Sequence, residues 1–251
     1  MLWSQSDLVK ATAGDLIGDW RNDGIAGVSI DSRSIKSDEL FVAVKAKRDG
    51  HNFINDAIRL GAKGALVDHI PADIPSNTPL LLVPSVQEAL ENLGKYRRER
   101  SQAKLVAITG SVGKTSSKNM LKTILELQGK THASPASFNN YLGVPLTLAN
   151  LPIDATYAVV EIGMNKPGEI EPLARMTSAD VVLITAIGKA HLEAFGDIAG
   201  IAHEKAQIVK GLKSGGIAVL NADTPGYEIL KKQTIKNGSQ FISFGGIDGN
   251  L

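Results

Sequence analysis

Ala107-Ile-Thr-Gly-Ser-Val-Gly-Lys-Thr115 joins an apolar, β-branched run, Leu105 to Ile108, to a segment with helical spacing from about Lys114 to Leu127. A strand that enters a glycine turn and leaves it as a helix is a cradle for phosphate. Gly110 and Gly113 let backbone amides approach anionic oxygens with no side chain in the way, and the helix start adds partial positive charge. The candidate loop residues are Thr109, Gly110, Ser111, Val112, Gly113, Lys114, Thr115 and Ser116. Lys114 is expected on the β and γ phosphates of a nucleoside triphosphate, and the Thr115 hydroxyl is of the kind that helps to hold magnesium. Ile108 stands where the longer form of such loops has its first glycine, and only Ser111 and Val112 separate Gly110 from Gly113. The pattern is therefore the shorter TGxxGKT.

Downstream, Tyr157 to Ile162, Val181 to Ile184 and Ile217 to Leu220 repeat the motif of a buried strand followed by a helical or glycine-bearing segment. That alternation predicts α/β architecture with a mostly parallel sheet and helices on its faces. Phe241 to Phe244 reads as a further strand, and the turn-like stretch after it brings no finishing helix, so the sheet is expected to be incomplete. Upstream, the spacing predicts a helix from about Ser6, a strand Ile25 to Ile30 ending in Asp31-Ser32-Arg33, and a strand Leu40 to Val44. A helix Phe53 to Leu60, short strands Ala65 to Val67 and Leu80 to Val83, and an amphipathic helix Val86 to Tyr96 complete a small α/β unit. The charged run Tyr96 to Ala103 reads as a solvated helix end and as the boundary between domains 1–102 and 103–251.

The 251 residues are 43% apolar and 21% charged, enough to bury the cores of one or two domains. A net charge of +1 supplies no whole-molecule field for nucleic acid, so no nucleic-acid partner is expected and any polyanion must be bound by a local site. The absence of cysteine excludes disulfides, thiolate metal sites and cysteine nucleophiles. Met1 to Asp7 lack the basic and apolar stretches of a secretory signal, and no run of about 18 apolar residues follows, which predicts a cytoplasmic protein with no transmembrane segment. Nothing in the sequence fixes an oligomeric state.

The short loop resembles that shared by Mur ligases and folylpolyglutamate synthetases. Three further segments, in matching order and spacing, are similar to Mur ligases: Ser137-Phe-Asn-Asn-Tyr-Leu-Gly-Val-Pro-Leu-Thr147, Val160-Glu-Ile-Gly-Met-Asn165 and Thr185-Ala-Ile-Gly-Lys-Ala-His-Leu-Glu193. Independently, Asp31-Ser-Arg33, Leu40-Phe-Val-Ala-Val44 and Asp49-Gly-His-Asn-Phe53 resemble the UDP-binding domain of that family. The chain departs from the family at Ala46-Lys47-Arg48, which fills a shortened link where relatives usually place a glycine.

The resemblance implies a small UDP-substrate-binding α/β domain followed by a P-loop ATPase domain, with the rest of the ATPase domain and a third, amine-binding domain lying beyond the match. It implies an ATP-dependent amide ligase of peptidoglycan precursor synthesis that works through an acyl phosphate with Mg2+. The paired asparagines with GVPLTL imply the branch that joins D-alanyl-D-alanine to UDP-N-acetylmuramoyl-tripeptide. A sibling that adds a single amino acid, and a non-catalytic module that binds only UDP-substrate or nucleotide, are the alternatives.

Glu161 ends an apolar strand beside a glycine, where α/β proteins place ligands, and hard magnesium prefers oxygen donors. His191 by residue type alone is a turn or packing residue; the resemblance implies a ligand to a second metal. Lys205 by pattern alone is a solvated helix lysine; the resemblance implies a carbamylated lysine that supports the same metal. Asn139 and Asn140 offer neutral donors to the muramoyl substrate or to a phosphate. Ser32 and Arg33 are expected at the UDP end, arginine having the forked donors that suit phosphate. Asn221 and Asp223 follow a strand and read equally as nucleotide contacts or as a turn, and His51 as structural or near the uridine.

Overall fold

The computed structural model describes residues 1–21, 24–190 and 192–246. They cluster into two compact units, one of residues 1–99 with 148–150 and one of residues 100–147 with 151–251.

In the first unit, α1 (Gln5–Thr12) is capped by Ser4, whose hydroxyl accepts the Asp7 N–H, and ends where Ala13 turns left-handed. The sheet contains β1 (Asp15–Ile17), β2 (Gly27–Ser29), β3 (Glu39–Val42), β4 (Gly64–Val67) and β5 (Leu80–Leu82), in the order β1-β5-β4-β3-β2. β2 to β5 pair in parallel, and β1 runs antiparallel along β5. Between β3 and β4, α2 (Ile54–Arg59) lays Ile54 and Ala57 on Phe41, Ala65 and Val67. Removing side chains of this size from water contributes about 1.5–3 kcal/mol for each of the larger ones.

α3 (Val86–Arg100) runs four residues past the predicted end. Arg97 and Arg98 are buried, and the Arg97 guanidinium donates to the Leu2 carbonyl and lies over the Trp3 ring. The charged run is thus only partly a solvated helix end. Arg97 has the long apolar stem and planar head that pack on an aromatic face.

The second unit is built on β6 (Lys104–Thr109), β7 (Thr131–Ala133), β8 (Tyr157–Glu161), β9 (Ala179–Ile184), β10 (Leu212–Asn221) and β11 (Gln240–Phe244). These six strands lie in the order β11-β10-β9-β6-β8-β7, and every pairing is parallel. The central strands are apolar on both faces, as helices on both sides require: Leu105, Ala107 and Ile108 of β6 and Ala158, Val159 and Val160 of β8 are fully buried. The connecting helices are α4 (Lys114–Glu126), α5 (Gly143–Ala149), α6 (Ile170–Thr177), α7 (Leu192–Phe195), α8 (Ile198–Ala206) and α9 (Tyr227–Lys236). Strand order reverses at β6, whose neighbours β8 and β9 are reached from opposite directions. The crevice at the carboxyl ends of such strands is where α/β sheets receive ligands. Among the described residues no helix is long and apolar enough to cross a membrane.

Candidate functional site

The phosphate loop leaves the carboxyl end of β6 at that reversal. Gly110 has φ +156° and Gly113, the residue before α4, has φ +84°. A Cβ on Gly110 would fall 2.0 Å from Thr185 Oγ1, so glycine is required there for space as well as for conformation. Thr185 is the post behind the loop. Its hydroxyl donates to the Val112 carbonyl at 2.6 Å and its N–H to the Thr109 carbonyl at 3.0 Å. Ser111 is tied to the same segment, its N–H donating to Ala186 O at 2.7 Å and its hydroxyl accepting the Gly188 N–H at 3.0 Å. Asn221 is tied to the same segment: its amide donates to the Thr185 carbonyl at 2.7 Å, and its Oδ1 accepts the Asp223 N–H. Thr109 Oγ1 is the only buried side-chain polar atom among the described residues with no partner, and it belongs to the residue that enters the loop.

Glu161, at the carboxyl end of β8, is buried and fully engaged. Oε2 accepts the Thr115 hydroxyl at 2.9 Å and Oε1 accepts the Asn139 amide at 2.7 Å. Two oxygen-bearing groups, the Thr115 hydroxyl and the Glu161 carboxylate, therefore meet beside the loop, a donor set that suits a hard divalent cation. Lys114 donates to Gly110 O at 2.8 Å. Burial lowers its pKa, and the Glu161 carboxylate opposes that shift.

A cavity of about 110 Å³ brings Lys114, Asn139, Asn140 and Lys205 together. Gly163, Met164, Asn165 and Glu169 line it as well. Lys205 projects from α8 and is buried rather than solvated. Burial first, and then the neighbouring Lys114 charge, bring its pKa down to about 7 against the partial support of Glu204. Glu204 itself accepts the N–H groups of Gly168 and Ile170 at the start of α6. Asn140 combines its place at the cavity with a structural task, since its Oδ1 accepts the N–H groups of Leu142 and Gly143 ahead of α5. Ser116 is exposed on the first turn of α4. His191 lies outside the described residues.

In the first unit, Ser32 is buried at the start of a short 3-10 turn, and Arg33 forks onto Asp31 at 2.9 and 2.7 Å. His51 is buried, its Nδ1 2.6 Å from Asp49 Oδ1 and its ring stacked 4.1 Å from that of His69. Asp68 adjoins both rings and takes the Lys45 ammonium as well, a network that fastens the Asp49–Phe53 turn.

Thr185, Asn165 and Glu169 were not singled out by residue type. The sequence signals for Thr185 are its place as the first residue after a strand, the same kind of edge as Glu161, and its position at the head of the Thr185–Glu193 segment. Glu169 accepts the N–H groups of Asn165 and Lys166, which orders the turn that carries Asn165.

A glycine loop on a parallel sheet at its reversal point, with a lysine, a hydroxyl and a buried carboxylate around it, defines an α/β protein of the phosphate-loop class. Residues 108–250 match the Mur ligase middle domain, and residues 24–98 match the Mur ligase family catalytic domain. The chain belongs to the Mur ligase family.

Among curated relatives, UDP-N-acetylmuramoyl-tripeptide--D-alanyl-D-alanine ligase of Rickettsia prowazekii is 40% identical over 87% of this chain and 49% of its own length. The Escherichia coli enzyme of the same name is 41% identical over 78% of this chain and 43% of its own. A crystal structure of MurF from Acinetobacter baumannii superposes with a TM-score of 0.87 at 34% identity, covering 99% of this chain and 54% of that one. MurF of Thermotoga maritima, solved in complex with ADP, superposes at 0.74 with 29% identity over 89% of this chain and 51% of that one. The chain spans about half the length of the curated relatives it matches.

Proposed function

We propose that this chain carries the UDP-substrate-binding and ATP-binding portions, residues 1–102 and 103–251, of a cytoplasmic ligase that joins D-alanyl-D-alanine to UDP-N-acetylmuramoyl-tripeptide in peptidoglycan precursor synthesis. One observation carries the reading: the 2.9 Å bond from the Thr115 hydroxyl to the Glu161 carboxylate, which joins the phosphate loop to a buried strand-end acid. The names of the relatives supply the substrates.

An amide cannot form directly from a carboxylate, because oxide is too poor a leaving group. In the proposed reaction a carboxylate oxygen of the tripeptide attacks the γ phosphorus of ATP, and the bond to the bridging oxygen breaks with release of ADP. The D-alanyl-D-alanine amine then attacks the acyl carbon, the carbon–oxygen bond to phosphate breaks, and inorganic phosphate leaves as the amine loses a proton. The amides of Gly110 to Thr115 and the Lys114 ammonium hold the phosphates, and placing fixed charge there is most of what a protein does for phosphoryl transfer. Thr115 and Glu161 would hold magnesium, which neutralises phosphate charge when bound. Asn139 keeps the carboxylate aimed, and Asn140 and Asn165 present neutral donors to the muramoyl end. Ser32 and Arg33 are assigned to the UDP end.

Lys205 is assigned a carbamate. Its depressed pKa leaves free amine near neutrality, which attacks the carbon of CO2 and loses a proton, converting a cation into a carboxylate-like donor for a second metal shared with His191. Nuclear magnetic resonance in 13C-bicarbonate should reveal a carbamate signal that Lys205→Met removes, and a spectrum with no such signal would withdraw the assignment.

Calorimetric titration with UDP-N-acetylmuramoyl-tripeptide, UDP, the shorter muramoyl-peptides and magnesium-ATP in one buffer tests the function. Preference for the tripeptide supports the reading. Preference for a shorter precursor moves it to a sibling ligase, and binding of magnesium-ATP alone reduces it to a nucleotide-binding module.

A further inference from the structure

Lys118 stands one turn of α4 beyond Lys114 and is the one buried residue of that helix, 2% exposed. Its ammonium donates to the Ser134 carbonyl at 3.0 Å and to the Ala136 carbonyl, and it lies 4.0 Å from Glu161 Oε2. Both carbonyls belong to the loop between β7 and α5. Ala136 there holds φ +44°, a left-handed conformation unfavourable to any residue with a Cβ.

The same loop is fastened to the end of β8 at three further points. The Glu161 N–H donates to Ser134 Oγ at 3.2 Å, the Gly163 N–H to the Asn139 carbonyl at 2.7 Å, and the Asn139 amide to Glu161 Oε1 at 2.7 Å. A buried ammonium is costly unless it is hydrogen-bonded and paired, and a helix facing a sheet would ordinarily place an aliphatic residue at this position. Here the cation serves two backbone acceptors that no aliphatic side chain could satisfy.

We propose that Lys118 is a positioning residue for Glu161: by clamping the carbonyls of Ser134 and Ala136 it sets the loop so that Asn139 takes one carboxylate oxygen and leaves the other to Thr115. The proposal rests on the reading of Glu161 as an oxygen donor to magnesium, and it names the group that aims that donor. Lys118 differs from Lys114 in that its donors are already turned to protein carbonyls, so its effect on nucleotide passes through the metal and not through direct contact with phosphate.

The test is calorimetric titration of the whole chain with ATP in a chelator and with ATP in excess magnesium, for the parent, Lys118→Met, Glu161→Gln and the double variant. Lys118→Met should keep metal-free ATP affinity within about twofold and lose about tenfold of the gain that magnesium brings, and the double variant should fall no further than Glu161→Gln alone, as coupled residues do. The Asn139 side-chain amide resonances should shift in Lys118→Met. A full magnesium gain in Lys118→Met overturns the proposal, and so does an equal loss with and without metal. An undiminished gain in Glu161→Gln overturns the reading of Glu161 itself, seen without any Lys118 variant, and the proposal falls with it. If Lys118→Met does not fold, the double variant decides, since it leaves no lone buried charge. A folded double variant that matches Glu161→Gln supports the proposal, and one that fails to fold where Glu161→Gln folds assigns Lys118 to the fold alone.

Discussion

In the unit of residues 1–99 two ion pairs sit at the rim: the Arg33 side chain is 78% exposed beside Asp31, and that of Lys45 is 55% exposed beside Asp68. In the unit that follows, Lys118 and Glu161 face each other at 2% and 1% exposure, and Lys205 is buried at the cavity it shares with Lys114. Exposed pairs contribute little because water screens them, whereas a charge kept from water is costly and is retained where something depends on it. The first unit's buried cations, Arg97 and Arg98, sit on α3, whereas the buried charges of the second unit, Lys118, Glu161 and Lys205, gather beside the phosphate loop.

The sharpest way to break that contrast is at the loop. Gly110→Ala puts a methyl on Thr185 Oγ1 at a left-handed φ and should reduce ATP affinity by about 100-fold or more, read by titration. An alanine variant that binds normally would mean that the loop is pliable and its charges are not held in place.

Lys205 sharpens the comparison through pH. Its folded pKa is near 7 against an ordinary 10.5, so between those values the unfolded chain binds more protons and stability rises with pH. Below about pH 7 the fold carries the whole cost of the buried cation. Lys205→Met should therefore raise Tm most at about pH 6, with the gain over the parent shrinking toward about pH 9.5 in CO2-free buffer. A gain that does not change with pH would place the ammonium in water.

Thr185→Val removes the hydrogen bond to the Val112 carbonyl at nearly constant volume. It should cost about 1 kcal/mol in urea unfolding and weaken nucleotide binding by about fivefold. At the rim, Lys45→Ala should change stability by less than about 1 kcal/mol, and a larger loss would show that the Asp68 network with His51 bears on the fold.

Much of this was legible in the sequence wherever local chemistry decides structure. The β-branched run into Gly110 and Gly113 placed β6, the loop and α4 within a residue or two, and the buried strands β8 to β11 followed from their apolar runs. β7 was not legible, because Thr131-His-Ala133 is three residues of mixed polarity at a sheet edge. Among the candidate residues, Glu161 could be read from its strand end, but Lys118 could not. In sequence it is one more lysine on a polar helix, and its burial is decided by carbonyls 16 and 18 residues away. Arg97 is hidden for the same reason: a charged run says nothing about an aromatic ring brought from residue 3.

β2 is the edge strand of the first sheet, and the side chain of Asn150 meets its open side. Asn150 accepts the Val28 N–H through Oδ1 and donates to the Val28 carbonyl through Nδ2, both at 2.8 Å, standing in for a neighbouring strand. Trp3, from the start of the chain, donates its indole N–H to the Ala149 carbonyl. An open strand edge is a template for another chain. During synthesis the first sheet therefore has all its strands long before it has its guard, and the nascent polypeptide must travel past residue 150 before that edge is closed. A product cut near residue 100 would keep the sheet and lose its protection against self-association.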